Sequence, residues 1–488
     1  MRFALCNIEE NSRKMCNLED PTNIKTVHLI GICGTGMGTL AAMLHEAGYQ
    51  VQGSDENIYP PMSTFLTSRG ITIKEGYGAE NLNPPPDLVV VGNVIRRDNP
   101  EAVATIERGL NYCSMPQALH HFFLNSSQSV VAAGTHGKTT TAALLVWLLT
   151  VAGRDPGCLV GGLLVNFQQS YRLGKGTYFV VEGDEYDTAF FDKGPKFLHY
   201  EPKICVLTSV EFDHADIFPD LNAVESVFSQ LVQSIPRDGL LIANSDDAGA
   251  SRLSQQARCR LVLYGLENPA DFRVERAEYG IGSTRFTVSG PQGFRASLTS
   301  PLAGAHNLSN TTAMVALARE LDLEKEIIQQ TLTTFSGVRR RQEVRGEPGG
   351  ITVIDDYAHH PTAVKATLEA FRPFYGGRRL WAIFEPRTNS SKRRVFQERY
   401  ATVFDGADIV LIKEPPGLDR IAPEERLSAK QLVKDLTDRG IDAHYFPDTE
   451  GMLPFILSRV KSRDVLVVMS TGSFDNLIDR LLKELNKR

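Results

Sequence analysis

Long apolar runs are missing from this 488-residue chain, and several other common signals are missing with them. No stretch of about 18 or more apolar residues occurs, so a membrane span is not expected. The opening "MRFALCNIEENSRKMCNLEDPTN" has no sustained apolar core, so a secretory signal is not expected, and residues 1–23 read as a flexible tail. Cysteine is sparse and unpatterned. The 7 residues are Cys6, Cys16, Cys33, Cys113, Cys158, Cys205 and Cys259; none forms a Cys-x-x-Cys pair, and the number is odd. This argues against a disulfide framework and a structural zinc site, and fits reduced thiols in a cytoplasmic protein. A long basic run is also lacking and the formal net charge is −6, so no nucleic-acid partner is expected.

What is present is an ordinary globular composition, 42% hydrophobic and 23% charged, on a chain too long for one core. Three segments each alternate strand-like and helix-like patterns, the mark of parallel α/β sheets. Residues 24–125 begin with the strand "TVHLIGI", turn at glycines and enter the helix "GTLAAMLHEAG", a Rossmann-like order. Residues 126–336 open with "SVVAAG", continue through the buried strands "TYFVVEGD" and "ICVLTSV", and include a small β-rich excursion, "DFRVERAEYGIGSTRFTVSGPQGFRASLTS". Residues 337–488 show the strands "ITVIDDYA", "RLWAIFEP", "ADIVLIKEP" and "DVLVVMSTG", again Rossmann-like. Each strand ends in polar residues, and open parallel sheets bind ligands beyond the carboxyl ends of their strands. A cleft shared by three α/β domains is therefore expected.

The central segment carries "AAGTHGKTTT" between an apolar strand and an apolar helix. A standard phosphate loop has glycine, four residues, then Gly-Lys-Ser/Thr; here Ala132 stands where the first glycine would be, and the glycine is Gly134. The physics survives. Backbone N–H groups of Gly134, Thr135, His136, Gly137, Lys138, Thr139 and Thr140 can face phosphate oxygens at the start of a helix dipole. Lys138 would reach the outer phosphates of a nucleoside triphosphate, and the Thr139 hydroxyl would sit on magnesium. Two further strand ends offer acid. "VVEGDEYD" places Glu182 directly after a buried run, with Asp184, Glu185 and Asp187 behind it; "VLTSVEFDHADIF" places Glu211, Asp213, His214 and Asp216 after the next. Magnesium takes oxygen ligands, which favours Glu182. Spacing alone leaves His214 open between a metal ligand and a hydrogen-bonded cleft histidine.

Taken in order, "GTHGKTTT", "VEGDEYD", "EFDHADIF", "GAHNLSN", "GVRRRQE" and "DDYAHHPT" resemble the Mur ligases, ATP-dependent enzymes that build the peptide of bacterial cell-wall precursors. The resemblance runs from His28 to Phe474. It implies a soluble amide ligase with ATP as co-substrate and Mg²⁺ as cofactor. It implies Lys138, Glu182 and His214 as catalytic, and Thr139, Glu182 and His214 as metal ligands. It also implies Asn307 at the adenine, Arg339 or a neighbour at the phosphates, and Asp356 near the ribose. Read alone, Asn307 is a helix cap and "RRR" a solvated linker.

The family also assigns the earlier glycine loop, "GICGTGMG", which by itself reads as a dinucleotide fingerprint. In the family such a loop cradles a UDP-sugar diphosphate, so Gly34, Thr35, Gly36, Met37 and Gly38 would supply amides and Asp55 would lie near the uridine. Two branches carry "AHHP" with a loop of this kind. One joins UDP-N-acetylmuramate to L-alanine; the other joins it to the recycled murein tripeptide L-alanyl-γ-D-glutamyl-meso-diaminopimelate. "GSDENIYPPMSTFL", "EYDTAFFDKGPKFLHY", "EFDHADIF" and "EPRTNSSK" are similar to the second. The strand-end residues Arg387, Ser470, Thr471 and Gly472 are peptide-binding candidates, since arginine grips carboxylates in two-point fashion. Outside the family, a nicotinamide-dependent oxidoreductase leaves Gly134 to Thr140 without a role, and a phosphate-loop switch leaves the first loop and the third domain without one.

Overall fold

The computed structural model describes residues 24–487, so the tail expected at residues 1–23 lies outside the described residues. Three sheets follow one another along the chain. The first holds β1 (Thr26–Ile30), β2 (Gln50–Asp55), β3 (Thr72–Glu75), β4 (Leu88–Val91) and β5 (Tyr112–Ser114) in the order β3-β2-β1-β4-β5, every pair parallel. Helix α1 (Thr35–Glu46) joins β1 to β2. The run Leu88–Val91 is fully buried because helices cover both faces of such a sheet, which selects continuous β-branched residues over alternation.

The second sheet has ten strands. Its centre is parallel: β6 (Gln128–Ala133), β7 (Gly157–Leu164), β9 (Tyr178–Gly183), β12 (Ile204–Leu207), β13 (Leu240–Asn244) and β14 (Arg260–Gly265), with β8 (Gln169–Arg172) on one edge. A hairpin of β10 (Asp187–Ala189) and β11 (Asp192–Pro195) stands apart. The β-rich excursion is not a separate unit. β15 (Phe272–Gly280), β16 (Ser283–Ser289) and β17 (Arg295–Ser300) continue the same sheet, β15 pairing parallel with β14 before the ladder turns antiparallel.

Helix α2 (Lys138–Val151) is apolar nearly all round, as a helix covered on all sides must be. Leu144, Leu145 and Leu148 share a core with Met314 and Val315 of α3 (Ala305–Glu320). The third sheet orders β18 (Glu343–Gly346), β19 (Thr352–Asp356), β20 (Leu380–Phe384), β21 (Ile409–Lys413), β22 (Asp442–Phe446) and β23 (Val465–Met469) as β18-β19-β23-β20-β21-β22, with only β18 antiparallel. Helix α4 (Pro361–Phe374) follows β19, with Pro361 in its first turn, where no amide is needed. No helix among the described residues is long and apolar enough to cross a membrane.

Candidate active site

The turn from β6 into α2 is shaped by its glycines. Gly134 has φ 135°, and a Cβ there would meet Thr208 Oγ1 at 2.1 Å and Ser209 N at 2.8 Å, so a side chain has no room beside the next strand. The first bond of the helix runs from Thr141 N–H to the Gly137 carbonyl, 2.9 Å. The amides of Lys138, Thr139 and Thr140 thus have no intrahelical acceptor and sit at the positive end of the helix dipole. Thr135 and His136 differ from the sequence expectation. Their amides donate to Ser209 O (2.9 Å) and Ser209 Oγ (3.0 Å), so the end of the neighbouring strand fixes the first half of the loop and only the second half is open.

Lys138 folds back on the loop and also reaches an acid. Its Nζ donates to the Gly134 carbonyl at 2.7 Å and to Glu185 Oε2 at 2.8 Å. Burial alone would lower its pKa, but Glu185 and Asp184 outweigh burial and move it upward, so the ammonium is held charged. Glu185 Oε1 stands 3.3 Å from His214 Nε2; against the pull of burial, Lys138 first and His214 second shift Glu185 down, and Glu185 shifts His214 up. Lys138, Glu185 and His214 form one chain. His214 has φ 52°, an uncommon conformation for a residue with a side chain, and its amide donates to Asp213 Oδ1 at 2.6 Å.

Thr139 and Glu182 form a second pair. Thr139 Oγ1 donates to Glu182 Oε2 at 3.0 Å, and Gly161 N–H donates to Oε1 at 2.5 Å. Burial first, and Asp184 second, raise the Glu182 pKa. A hydroxyl and a carboxylate converging at one point suit a hard divalent cation, which takes oxygen ligands. Of the three expected metal ligands, Thr139 and Glu182 meet directly, while His214 joins the cluster through Glu185. A cavity of about 120 Å³ opens beside it, between Asp213, His214 and Asp216 on one side and His359, Thr388, Asn389 and Ser390 on the other.

The nucleotide candidates need one correction. Arg339 turns away: it is half exposed and ion-paired to Glu343. Arg341 is the arginine at the loop, its Nη2 3.1 Å from Thr139 Oγ1 and its guanidinium 4.8 Å from the Tyr357 ring centre. The chain reverses at Arg340 (φ 61°) and Gln342 (φ 52°), which sends successive arginines in different directions. Gln342, not foreseen from the sequence, ties Asn307 to Asp356: its Oε1 accepts from Asn307 Nδ2 at 3.0 Å and its amide donates to Asp356 Oδ2 at 2.8 Å. Asn307 is not the cap of α3. Gly304 holds that place, and the Asn307 side chain donates to the Ala303 carbonyl at 2.9 Å. Asp356 is buried and also accepts from Ala358 N–H at 2.7 Å; burial raises its pKa.

At the third sheet, Ser470 faces inward. Its hydroxyl donates to Glu385 Oε2 at 2.6 Å, and Lys413 Nζ takes Glu385 Oε1 at 2.8 Å. The carbonyls of Ser470, Thr471 and Gly472 are gathered by Arg340 at 2.7, 3.3 and 2.7 Å. Of the four peptide-binding candidates, Arg387 keeps a partly exposed side chain, 38% accessible. Glu385 stands at a long 3.5 Å from its guanidinium, and Gly472 is needed beside it, since a Cβ there would meet Arg387 Nε at 2.2 Å.

The earlier loop repeats the backbone device without the charges. Gly34 caps α1, and the first helical bond is Gly38 N–H to the Gly34 carbonyl at 2.7 Å, which leaves the amides of Thr35, Gly36 and Met37 open. Met37 buries its side chain in the core. Asp55, at the end of β2, is buried and fastens the turn: Oδ2 accepts from Cys33 N–H and Oδ1 from Asn57 N–H, each at 2.9 Å. It is thus a brace of the loop in this structure.

Three stacked α/β units, one glycine loop backed by a lysine and acids and another without them, define an ATP-dependent ligase of the Mur type. The chain belongs to that family: residues 26–126 match the model for the Mur ligase family catalytic domain, 132–318 the Mur ligase middle domain, and 340–472 the Mur ligase glutamate ligase domain. Among relatives, it is 37% identical over 463 residues to UDP-N-acetylmuramate–L-alanyl-γ-D-glutamyl-meso-2,6-diaminoheptandioate ligase of Escherichia coli, covering 95% of this chain and 98% of that one. It is 34% identical over 455 residues to UDP-N-acetylmuramate–L-alanine ligase of Geobacter sulfurreducens, covering 92% and 95%. The crystal structure of a murein peptide ligase from Psychrobacter arcticus superposes with a TM-score of 0.71 at 35% identity, covering 95% of this chain and 99% of that one.

Proposed function

We propose that this chain joins the lactoyl carboxylate of UDP-N-acetylmuramate to the L-alanyl amine of the tripeptide L-alanyl-γ-D-glutamyl-meso-diaminopimelate, converting ATP to ADP and phosphate in the cytoplasm. One observation carries the choice of substrate: near end-to-end similarity to a ligase of that name, at 37% identity over 463 residues. A carboxylate does not acylate an amine at neutral pH because oxide is a poor leaving group. Transfer of the γ-phosphoryl gives an acyl phosphate. The amine then attacks its carbonyl carbon, a tetrahedral intermediate forms, the C–O bond to phosphate breaks, and the amine loses a proton.

Both partners of the first step are anions, so charge placement decides the rate. Lys138 is the mobile cation: in moving from Glu185 to the γ-phosphate it would exchange one acid for another within the same cluster. The open amides of Lys138, Thr139 and Thr140 would hold the phosphate chain, and Arg341 would add a second cation at Thr139. Thr139 and Glu182 would hold Mg²⁺, which when bound would screen phosphate charge. Glu185 and His214, left by Lys138, form an acid–base pair at the cavity where the amine would enter. The amides of Thr35, Gly36 and Met37 would take the UDP diphosphate, and Arg387 would face a peptide carboxylate.

The deciding experiment is turnover with tripeptide and with L-alanine, side by side, at equal UDP-N-acetylmuramate, ATP and Mg²⁺. A specificity ratio in favour of tripeptide supports the proposal; equal or greater turnover of L-alanine moves the chain to the other branch.

A further inference from the structure

One carboxylate outside the reacting cluster joins two domains at the ATP loop. Glu211 follows β12, and its backbone is stitched to the phosphate loop: its amide donates to Thr135 Oγ1 at 2.9 Å, and Thr135 Oγ1 lies 3.1 Å from its carbonyl. Its side chain accepts from His136 Nε2 at 2.9 Å. The other partners come from the third domain. Thr362 Oγ1, in the first turn of α4, lies 2.9 Å from both carboxylate oxygens, and Arg399 makes an ion pair with Oε1. His360, buried, packs its ring 4.7 Å from that of His136 and sends Nε2 toward the Phe212 carbonyl at 3.3 Å.

We propose that Glu211 is the closure latch of the enzyme, a positioning residue that fastens the third domain to the phosphate loop through Thr362 and Arg399 and holds His136 in place. The contacts across the seam are of the kind that make and break readily. Arg399 and Glu211 are partly exposed, with side chains 42% and 26% accessible, and ion pairs of that kind are individually weak. A latch must release once per turnover, which favours several modest contacts over one strong one. Glu211 also touches the loop that senses nucleotide, so loop geometry and domain position are read by the same carboxylate. A metal centre fits less well. His136, Glu211 and His360 do offer ligand atoms within 4.8 Å of one another. However, His360 Nδ1 already accepts from Thr362 N–H at 3.3 Å, and a guanidinium already faces the carboxylate.

The test uses Arg399→Met and Glu211→Gln in the full chain, with Arg399→Lys as the conservative rescue. Three quantities are read: nucleotide affinity without sugar substrate, kcat against KM, and the distance between fluorophores on the second and third domains with a non-hydrolysable ATP analogue. The latch requires Arg399→Met to bind nucleotide within about twofold of wild type while kcat falls about tenfold and the closed population drops, a coupling of ordinary size. Arg399→Lys should recover most of both losses. Unchanged kcat and closure in Arg399→Met overturn the latch, even if Glu211→Gln fails to fold. The kinetic readout rests on the ligase reading: wild-type protein without ligation would sink that reading, and the distance readout would still judge the latch.

Discussion

The two glycine loops use the same backbone device and differ in everything around it. Each ends a parallel strand, starts a helix at a glycine, and leaves the first helical amides open. Around the loop at Gly134 stand Lys138, Glu182, Glu185, His214 and Arg341, in contact with one another or with the loop. At the loop at Gly34 the acid Asp55 is occupied with backbone amides. A cradle of amides suffices to hold a phosphate. Moving a phosphoryl group needs a cation that can change partners and acids that can hold a second cation. On the proposed function, this difference gives binding to the first loop and chemistry to the second.

The sharpest way to break this contrast is at Lys138. Lys138→Ala should lower the rate of ADP release by a factor on the order of 10² to 10³ or more, measured with all three substrates present; retained turnover would return the chemistry to some other group. Gly134→Ala should act almost as strongly by another route, because the added Cβ meets Thr208 and Ser209 at 2.1 and 2.8 Å; loss of ATP binding by calorimetry is the check. The paired variants Arg341→Ala and Arg339→Ala come next. The first should cost about tenfold or more in kcat/KM for ATP, and the second should stay near wild type, since an exposed ion pair contributes about 0–1 kcal/mol; equal losses would undo the assignment.

On the binding side the effects should be smaller and confined to the sugar nucleotide. Asp55→Ala removes the acceptor for two amides, an expected cost of about 1–3 kcal/mol in loop stability. It should appear as a raised KM for UDP-N-acetylmuramate with KM for ATP unchanged. The mildest effect is in acid. Burial pushes His306 and His359 down to about 4 and His360 down to about 3. Unfolded histidine titrates near 6.5, so below that pH the unfolded chain binds more protons than the folded one, and stability is lost as pH falls from about 6.5 toward 4. Thermal melts at pH 7.5, 6.5 and 5.5 should show Tm falling slightly across the first interval and more steeply across the second; a Tm that rises on acidification would contradict the neutral state of these rings.

Much of this was legible before the fold was known. Strands such as Leu88–Val91 and Val465–Met469 are continuous apolar runs ending in polar residues, a pattern that a parallel sheet covered on both faces selects. Gly-Lys-Thr after such a strand marks the second loop, and the acids that follow β9 and β12 mark its surroundings. What the pattern hides is direction. In "GVRRRQE" all three arginines are equivalent on paper, and the two positive φ values at Arg340 and Gln342 decide that Arg341 faces Thr139. Nor does spacing show that Glu185, rather than Glu182, holds Lys138, or that Ser209 takes two amides from the loop, because these contacts join strands that are neighbours only in the sheet.

The most direct test of two loops with separate duties is the dissociation constant of UDP-N-acetylmuramate for Lys138→Ala, measured by calorimetry on protein shown to be inactive. Separate duties require a value within about twofold of wild type, since on the proposed function no cation at Gly134 would contribute to holding the sugar nucleotide at Gly34. A loss of affinity on the order of tenfold, 1.4 kcal/mol, in a variant that remains folded would contradict it.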